Sequence, residues 1–280
     1  MSDATISSTS PGPEARGRDS PPGSPVAQFD RHAGNDVVHG PDRDVRAKRR
    51  RSLTDNEIRG IADRLGRNSC QPEGDLALFY LLLTTGAKPL ELARLRVKDV
   101  IAPSGTIRSE ACLPARASIN GVARPVFFKS EVAVEAIMSY VRYRVAKGHG
   151  VGTATRYAGL APASPLLLNS DGRVYRIVES SDNGCKRYLC RGILEACRRI
   201  FRNAGIDGLC ASTLRRTLAR RLRDRGATLE QIGQALGITD RKAIRDLLDV
   251  RHVDLSTLFD EIVCANGTTP AAVDHHRGES

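Results

Sequence analysis

The sequence predicts a mainly α-helical domain that carries a small antiparallel β-hairpin. Apolar residues recur at helical spacing before residue 100 and after residue 130. Between these segments lies a stretch with strand character that contains the turn-forming pair Asn120-Gly121. Hydrophobic residues make up 40% of the 280 residues, which is enough to form a buried core.

The ordered part of the chain is predicted to begin at Thr54. Thr54 and Glu57 have the spacing of a helix capping box, and apolar residues follow at helical intervals. A second helix runs from about Asp75 to Gly86 and is apolar nearly all round, so we expect it to lie at the centre of the fold. Pro89 opens a further short helix, because proline is well tolerated in a first helical turn.

Residues 100–129 are predicted to form strands joined by a tight turn at Asn120-Gly121, since both turn residues tolerate positive φ. The most apolar part, residues 126–128, is the expected buried strand. Ser130 then caps a helix that ends at Gly148.

The C-terminal third of the chain is predicted to be helical and basic. Residues 189–200 show an apolar stripe at helical spacing, and a second helix covers residues 213–225. A capping box formed by Thr228 and Gln231 opens a helix that ends at Gly237. A last helix is expected from Asp240 through Leu248.

Composition predicts three segments. Residues 1–50 form a disordered basic N-terminal arm, residues 51–265 the folded domain and residues 266–280 a disordered tail. The arm is rich in Pro, Gly and Ser and ends in the basic run Arg46–Arg51. Such a run either neutralises phosphates or serves as a solvated linker, and the sequence leaves both interpretations open.

The charge distribution favours a polyanionic partner. The net charge is +11 with a pI near 9.7. Between Cys185 and Arg225 there are twelve Lys or Arg against three acidic residues, a net charge of +9. A solvated basic surface is the alternative explanation, and a membrane surface would also attract this charge. However, no apolar run approaches the roughly 18 residues of a membrane span.

The remaining composition indicates a protein of the reducing cytoplasm, associated with the nucleoid. The N-terminus lacks a secretory signal pattern. The seven cysteines include no CxxC pair and no histidine cluster lies near them, so we expect reduced thiols, no metal and no cofactor.

Three motifs in order resemble the tyrosine recombinases, the family of the phage integrases. An apolar helix leads into Thr85-Gly86-Ala87-Lys88 and then Glu91-Leu92, similar to the family's first active-site box. The run Ser212–Thr217 stands where the family has His-x-Leu-Arg-x-Thr, and residues 226–237 resemble the stretch that ends in Leu-Gly-His. The resemblance covers residues 50–265 and implies the fold of a tyrosine recombinase catalytic domain.

The resemblance also implies a set of positions for DNA strand transfer. The family uses two arginines, a hairpin lysine, a histidine, a second histidine or tryptophan, and a tyrosine nucleophile. No lysine lies between Lys98 and Lys129, and no tyrosine follows Tyr188. Five family positions fall on Lys88 (first arginine), Ser212 (histidine), Arg215 (second arginine, retained), Ile238 (second histidine or tryptophan) and Leu247 (tyrosine).

These departures predict a site without catalytic residues that still binds DNA. Phosphate contacts supply much of the affinity of a protein for DNA, so binding can outlast the loss of chemistry. Arg215 has a structural alternative, an ion pair with Glu91 or Asp99. The predicted DNA-binding residues are Lys88, Arg116, Arg124, Arg215, Arg216 and Arg220.

The sequence therefore predicts a non-catalytic accessory or regulatory factor in the recombination or integration of a mobile element. Its expected partner is double-stranded DNA, together with an active recombinase or a second copy of the chain. One alternative is an active recombinase with a displaced nucleophile, Ser256 or Thr257 beside His252. Another is an unrelated transcription regulator in which residues 228–248 form a helix-turn-helix, and a hairpin beside a helical bundle would exclude it.

Overall fold

The computed structural model describes residues 51–153, 155–182, 185–206 and 209–248. The predicted arm and tail, and the alternative nucleophiles Ser256 and Thr257 with His252, lie outside the described residues. The described helices are α1 (Asp55–Asn68), α2 (Pro72–Thr85), α3 (Pro89–Arg94), α4 (Val97–Val100), α5 (Glu131–Ala146), α6 (Arg191–Asn203), α7 (Ala211–Asp224), α8 (Leu229–Leu236) and α9 (Arg241–Leu248). The strands are β1 (Glu110–Leu113), β2 (Arg124–Phe127), β3 (Val178–Asp182) and β4 (Cys185–Leu189), and a 3-10 turn covers Tyr157–Gly159.

Most of the predicted helix boundaries in the first ninety residues are confirmed. The Thr54 hydroxyl accepts a hydrogen bond from the Glu57 amide at 3.3 Å, and the Glu57 carboxylate accepts one from the Thr54 amide at 2.9 Å. Helix α2 ends at Gly86, whose φ of 56° is left-handed. It starts at Pro72, three residues before the predicted position, because proline at the first turn needs no amide partner.

Helix α2 lies at the centre of the main core, as its apolar surface predicts. It packs against α1, α5, α6, α7 and β2. Residues 77–83 are all buried, so α2 contributes apolar surface in every direction around its axis.

The predicted hairpin is confirmed as β1 and β2, which pair antiparallel with Glu110 opposite Phe127. The prediction of a tight two-residue turn was wrong, because residues 114–123 form a longer loop between the strands. Gly121 has the expected positive φ of 70°. However, the Asn120 side chain accepts from the Val122 amide at 3.1 Å and donates to the Gly237 carbonyl at 3.3 Å, which ties the loop to the end of α8.

Two further segments differ from the prediction. Val100, where the strand region was predicted to begin, is instead the last residue of the short helix α4. The apolar stripe that was predicted to start a helix at Leu189 instead spans the end of strand β4 and the beginning of α6. Strands β3 and β4 pair antiparallel, with Val178 opposite Leu189, and the extended backbone of Cys190 separates them from the helix.

The last three helices form a smaller core of their own. The fully buried members of this core come from α7, α8 and α9, and residues Leu218, Leu222 and Ile238 pack against them. Gly237 ends α8 with a φ of 64°, as predicted. The β1–β2 hairpin contacts α8, and a hairpin beside a helical bundle is the arrangement that we expected to exclude an unrelated helix-turn-helix regulator.

Candidate nucleic-acid interface

Two helix ends converge on a pair of buried arginines. Helix α2 ends at Gly86 and helix α8 ends at Gly237, and the last carbonyls of a helix lack partners within it and carry partial negative charge. Arg124 from β2 and Arg215 from α7 reach these carbonyls from two sides. We call Arg124, Arg215 and the neighbouring Glu91 the arginine clamp.

Arg215 donates to one carbonyl at each helix end. Its Nη1 donates to the Gly86 carbonyl, and its Nη2 donates to the Leu236 carbonyl at 2.6 Å. The side chain is buried, with the residue 8% exposed. Burial and, to a smaller extent, the nearby charge of Arg124 together lower the pKa of Arg215 to about 10, while the carboxylate of Glu91 opposes both effects. The guanidinium is therefore still a cation at neutral pH.

Arg124 completes the same arrangement. Its Nη1 donates to the Thr85 carbonyl at 3.0 Å and to the Ala235 carbonyl at 2.6 Å. Its Nη2 donates to the Glu91 carboxylate at 3.2 Å, and both residues of this ion pair are buried. The partial charges of the helix ends therefore assist a single carboxylate in balancing two buried cations.

Glu91 holds three segments together. Its carboxylate accepts from the Lys88 amide at 2.9 Å, which caps α3, and from the Ile119 amide of the hairpin loop at 3.3 Å. With the Arg124 ion pair, Glu91 links α3, the hairpin and the helix ends. Glu91 was one of two predicted ion-pair partners of Arg215. In the structure, Glu91 instead pairs directly with Arg124.

Both cap glycines are needed for this close approach. A Cβ added at Gly86 would clash with the side chain of Leu236. A Cβ added at Gly237 would lie 2.9 Å from Cδ of Arg124 and 3.2 Å from its Nε. Each glycine therefore provides a left-handed helix end and also the space in which the clamp fits.

The five positions that the sequence resemblance assigned to an active site are dispersed between surface and core. Lys88 is exposed at the start of α3, and Ser212 is exposed in the first turn of α7. Ile238 and Leu247 are half-buried and pack against the core of α7, α8 and α9. Arg215 is the one of these five positions that belongs to the arginine clamp.

The other predicted DNA-binding residues lie outside the clamp. Arg116 is exposed and holds the Asp99 carboxylate with two contacts, at 2.5 and 2.7 Å. Arg216 donates to the Leu247 carbonyl at 2.6 Å, which fastens α7 to α9. Arg220 donates to the Ser52 hydroxyl at 3.2 Å.

The first described residues lie along α7. The amide of Leu53 donates to the Thr217 hydroxyl at 2.9 Å in a buried contact, and Arg221 pairs with Asp55. The start of the described domain therefore lies beside the basic helix α7, a contact that composition alone did not predict.

A cysteine at the start of α7 was also not singled out by the sequence. The Cys210 sulfur lies 2.8 Å from the Ser212 hydroxyl and 3.6 Å from the Thr213 hydroxyl. Burial raises the pKa of the Cys210 thiol, but the hydrogen bonds of Ser212 and Thr213 outweigh it and lower the pKa overall. Within the described residues, no group of His, Cys, Asp or Glu is arranged to hold a metal ion.

Comparison with known proteins identifies the fold. The structure is similar to the crystal structure of XerA recombinase, with 20% identity and a TM-score of 0.50 over 77% of this chain and 65% of that one. It is also similar to XerH site-specific recombinase bound to palindromic difH substrate, with 17% identity and a TM-score of 0.48 over 75% of this chain and 51% of that one. A third is the Tn1549 transposon integrase in complex with transposon right end DNA, with 13% identity and a TM-score of 0.44 over 77% and 66% of the two chains.

The fold is that of a tyrosine recombinase catalytic domain, mainly helical with two small antiparallel sheets. The chain spans about half to two thirds of the length of these structures. No family profile and no curated protein matches the sequence. Within the described part of the chain, every helix is too short or too polar to cross a membrane.

Proposed function

We propose that this chain is a DNA-binding protein that does not cut DNA. It acts as an accessory or regulatory factor in the recombination or integration of a mobile element. The observation that carries the proposal is the position of Arg215. Its guanidinium donates to the carbonyls of Gly86 and Leu236, so the retained arginine holds helix ends together instead of facing outward towards a phosphate.

The other positions support a loss of chemistry. Strand transfer needs a nucleophile, cations beside the reacting phosphate and an acid for the leaving oxygen. Ser212 and Lys88 are exposed, while Leu247 and Ile238 fill the small core of α7, α8 and α9. Hydrocarbon side chains at the last two positions offer neither a proton nor a nucleophile.

Binding is supported by the cations that remain at the surface. Lys88 and Arg116 are exposed at the two sides of α3, and α7 carries the half-buried Arg216 and Arg220. The Arg116 side chain is 37% exposed, so its guanidinium can face a phosphate while it holds the Asp99 carboxylate, whose side chain is 9% exposed. Arg124 and Arg215 then support the interface from beneath, because they fix the hairpin loop and α3.

The proposed partner is double-stranded DNA, bound by a domain of residues 51–265 with the basic arm beside it. XerH and the Tn1549 integrase are each described in complex with DNA. An active recombinase or a second copy of this chain would bind the same duplex beside this domain. The protein then works in the cytoplasm at the nucleoid.

The test combines a mobility shift with a suicide substrate. Nicked duplexes from the DNA that flanks its gene are incubated with the protein, and intact duplexes are titrated at several salt concentrations. We expect binding that weakens steeply with salt, and no covalent product. Lys88→Ala should weaken the shift, whereas Glu135→Gln on α5 should leave it unchanged.

The contrary outcome supports the alternative of an active recombinase with a displaced nucleophile. A protein–DNA adduct that survives denaturation would overturn the proposal. Mapping the adduct by mass spectrometry would show whether Ser256 or Thr257 had reacted. A chain that binds no duplex at low salt would instead refute the DNA-binding half of the proposal.

A further inference from the structure

The β3–β4 hairpin, which we call the ribbon, is exposed on both faces. All eight side chains described at positions 178–181 and 186–189 are exposed. Among the described elements, neither strand packs extensively against a helix or another sheet. An isolated two-stranded hairpin is marginally stable in water, so a partner would stabilise this one.

The chemistry of the ribbon changes along its length. The base carries apolar and aromatic residues, with Val178 45% exposed, Leu189 38% and Tyr188 46%. The Arg94 guanidinium lies 5.2 Å from the centre of the Tyr188 ring, a cation–π contact that joins the base of the ribbon to the end of α3.

The outer part of the ribbon is polar and basic. The strand register pairs Ser180 with Arg187 on one face and Ser181 with Lys186 on the other. Hydroxyl and cationic side chains are the types that bind base edges and phosphates. Lys186 pairs with Glu179 at 2.9 Å, but both side chains are largely exposed, so a phosphate can replace the carboxylate at little cost.

The charge around the ribbon favours a polyanion over an apolar protein surface. Between Arg173 and Arg202 the sequence has eight Lys or Arg against three acidic residues, a net charge of +5. Apolar side chains are confined to the base, where they would lie at the rim of a contact. The part that projects furthest along the strands carries the polar groups.

The dimensions of the ribbon match a groove of duplex DNA. Five residues per strand give a length of about 17 Å, with strands about 4.8 Å apart. The major groove is about 12 Å wide and 8.5 Å deep and admits a two-stranded ribbon. Helix α3 is about 9 Å long at 1.5 Å per residue, so the base of the ribbon and Lys88 lie at opposite ends of one short helix, within reach of one duplex.

We propose that the ribbon enters the major groove of the duplex bound by this domain. Ser180, Ser181, Lys186 and Arg187 would then contact base edges and the flanking phosphates. This inference rests on the proposed DNA binding. It specifies the groove that is occupied and the element that contacts the bases. It predicts that part of the affinity depends on access to the major groove.

The test uses the full chain and a 30-base-pair duplex of mixed sequence. Affinity is measured by fluorescence anisotropy at several salt concentrations for the wild type and for Lys186→Ala with Arg187→Ala. The matched control is Arg142→Ala on α5 with Lys147→Ala at the C-terminal cap of α5, which removes the same charge from exposed positions. Each titration is repeated with methyl green, which occupies the major groove, and circular dichroism confirms that each variant is folded.

If the ribbon enters the groove, the ribbon variant lowers the slope of log affinity against log salt by about 1.8, two contacts at about 0.9 each. Methyl green should also no longer weaken the remaining binding of the ribbon variant. The control variant should keep both the salt slope and the methyl green sensitivity of the wild type. Equal slopes and equal methyl green sensitivity in the two variants would overturn the inference while leaving DNA binding intact. A wild type that binds no duplex would refute the proposed function itself.

Discussion

At the scale of single residues, the clamp shows which groups the arginine of a recognisable motif contacts. Arg215 keeps its place in the motif Ser212–Thr217, yet its partners are the carbonyls at two helix ends. A guanidinium can satisfy several acceptors at once, which a lysine in the same place would do less well. The identity of a residue in a motif therefore does not determine what its side chain binds.

Glu91 is the residue on which the clamp is expected to depend most. Glu91→Gln removes the negative charge between two buried cations, so we expect the free energy of unfolding to fall by about 3 to 5 kcal/mol. Urea unfolding followed by circular dichroism measures the change. The matched control is Glu110→Gln, whose exposed ion pair with Lys129 should contribute less than about 1 kcal/mol. Similar losses in both variants would contradict the role given to Glu91.

The role of the clamp could be predicted only in part. Glu91 and Arg215 were paired in one of the two interpretations, since both lie in recognisable motifs. Arg124 was predicted to touch DNA, and its burial depends on contacts with Thr85 and Ala235, which are 39 and 111 residues away along the chain. The residues next to Arg124 in the sequence do not predict such distant contacts. A basic residue beside a hairpin turn can therefore be either exposed or buried.

At the scale of elements, caps and glycines were predictable whereas strand pairing was less so. The boxes at Thr54 and Thr228 and the stops at Gly86 and Gly237 were confirmed because each depends on neighbouring residues. The ribbon was missed because its apolar residues merge with those of α6 in one helical pattern. Asn183-Gly184 lies between its strands in the sequence and was the signal that could have revealed it.

The end of α8 provides a test at the same scale. Gly237→Ala must adopt a left-handed backbone and also displace the Arg124 side chain, so we expect a loss of about 2 to 4 kcal/mol in unfolding free energy. Gly226→Ala is the matched control, because its φ of 85° is also positive but nothing lies within 4 Å of an added Cβ. Thermal or urea unfolding of the two variants separates crowding from backbone strain. Equal losses would mean that the contact with Arg124 is unimportant.

At the scale of the whole molecule, the first described residues and α7 meet on one side of the domain through Leu53 and Thr217. The predicted fold is confirmed. The division into arm, domain and tail stays a prediction, as do the residues that contact DNA. Composition indicated a polyanionic partner, but only the folded chain shows which charged segments lie together.

The arm is expected to contribute to the salt dependence of DNA binding. Replacing Arg46, Lys48, Arg49 and Arg50 with Ala should lower the slope of log affinity against log salt by about 0.9 for each phosphate that the arm no longer neutralises. The measurement is a fluorescence anisotropy titration with a 30-base-pair duplex.

The control for the arm replaces four other basic residues with Ala. These are Arg16, Arg18, Arg31 and Arg43, which lie before the basic run in the sequence and have acidic residues near them. Their replacement removes the same charge. We expect this control to retain most of the slope. If the two variants behave alike, the basic run serves as a linker rather than as a DNA contact.

The clamp also has a consequence for how the domain unfolds. Its hydrogen bonds join α7 to the end of α2 across 129 residues of chain, and β2 to the end of α8 across 111 residues. If the last three helices detached as a unit, the hydrogen bonds from Arg215 to the Gly86 carbonyl and from Arg124 to the Ala235 carbonyl would be lost together, at a cost that local fraying does not incur. Partial opening is therefore disfavoured, and the C-terminal helices and the central helix should become open to hydrogen exchange in a single cooperative step.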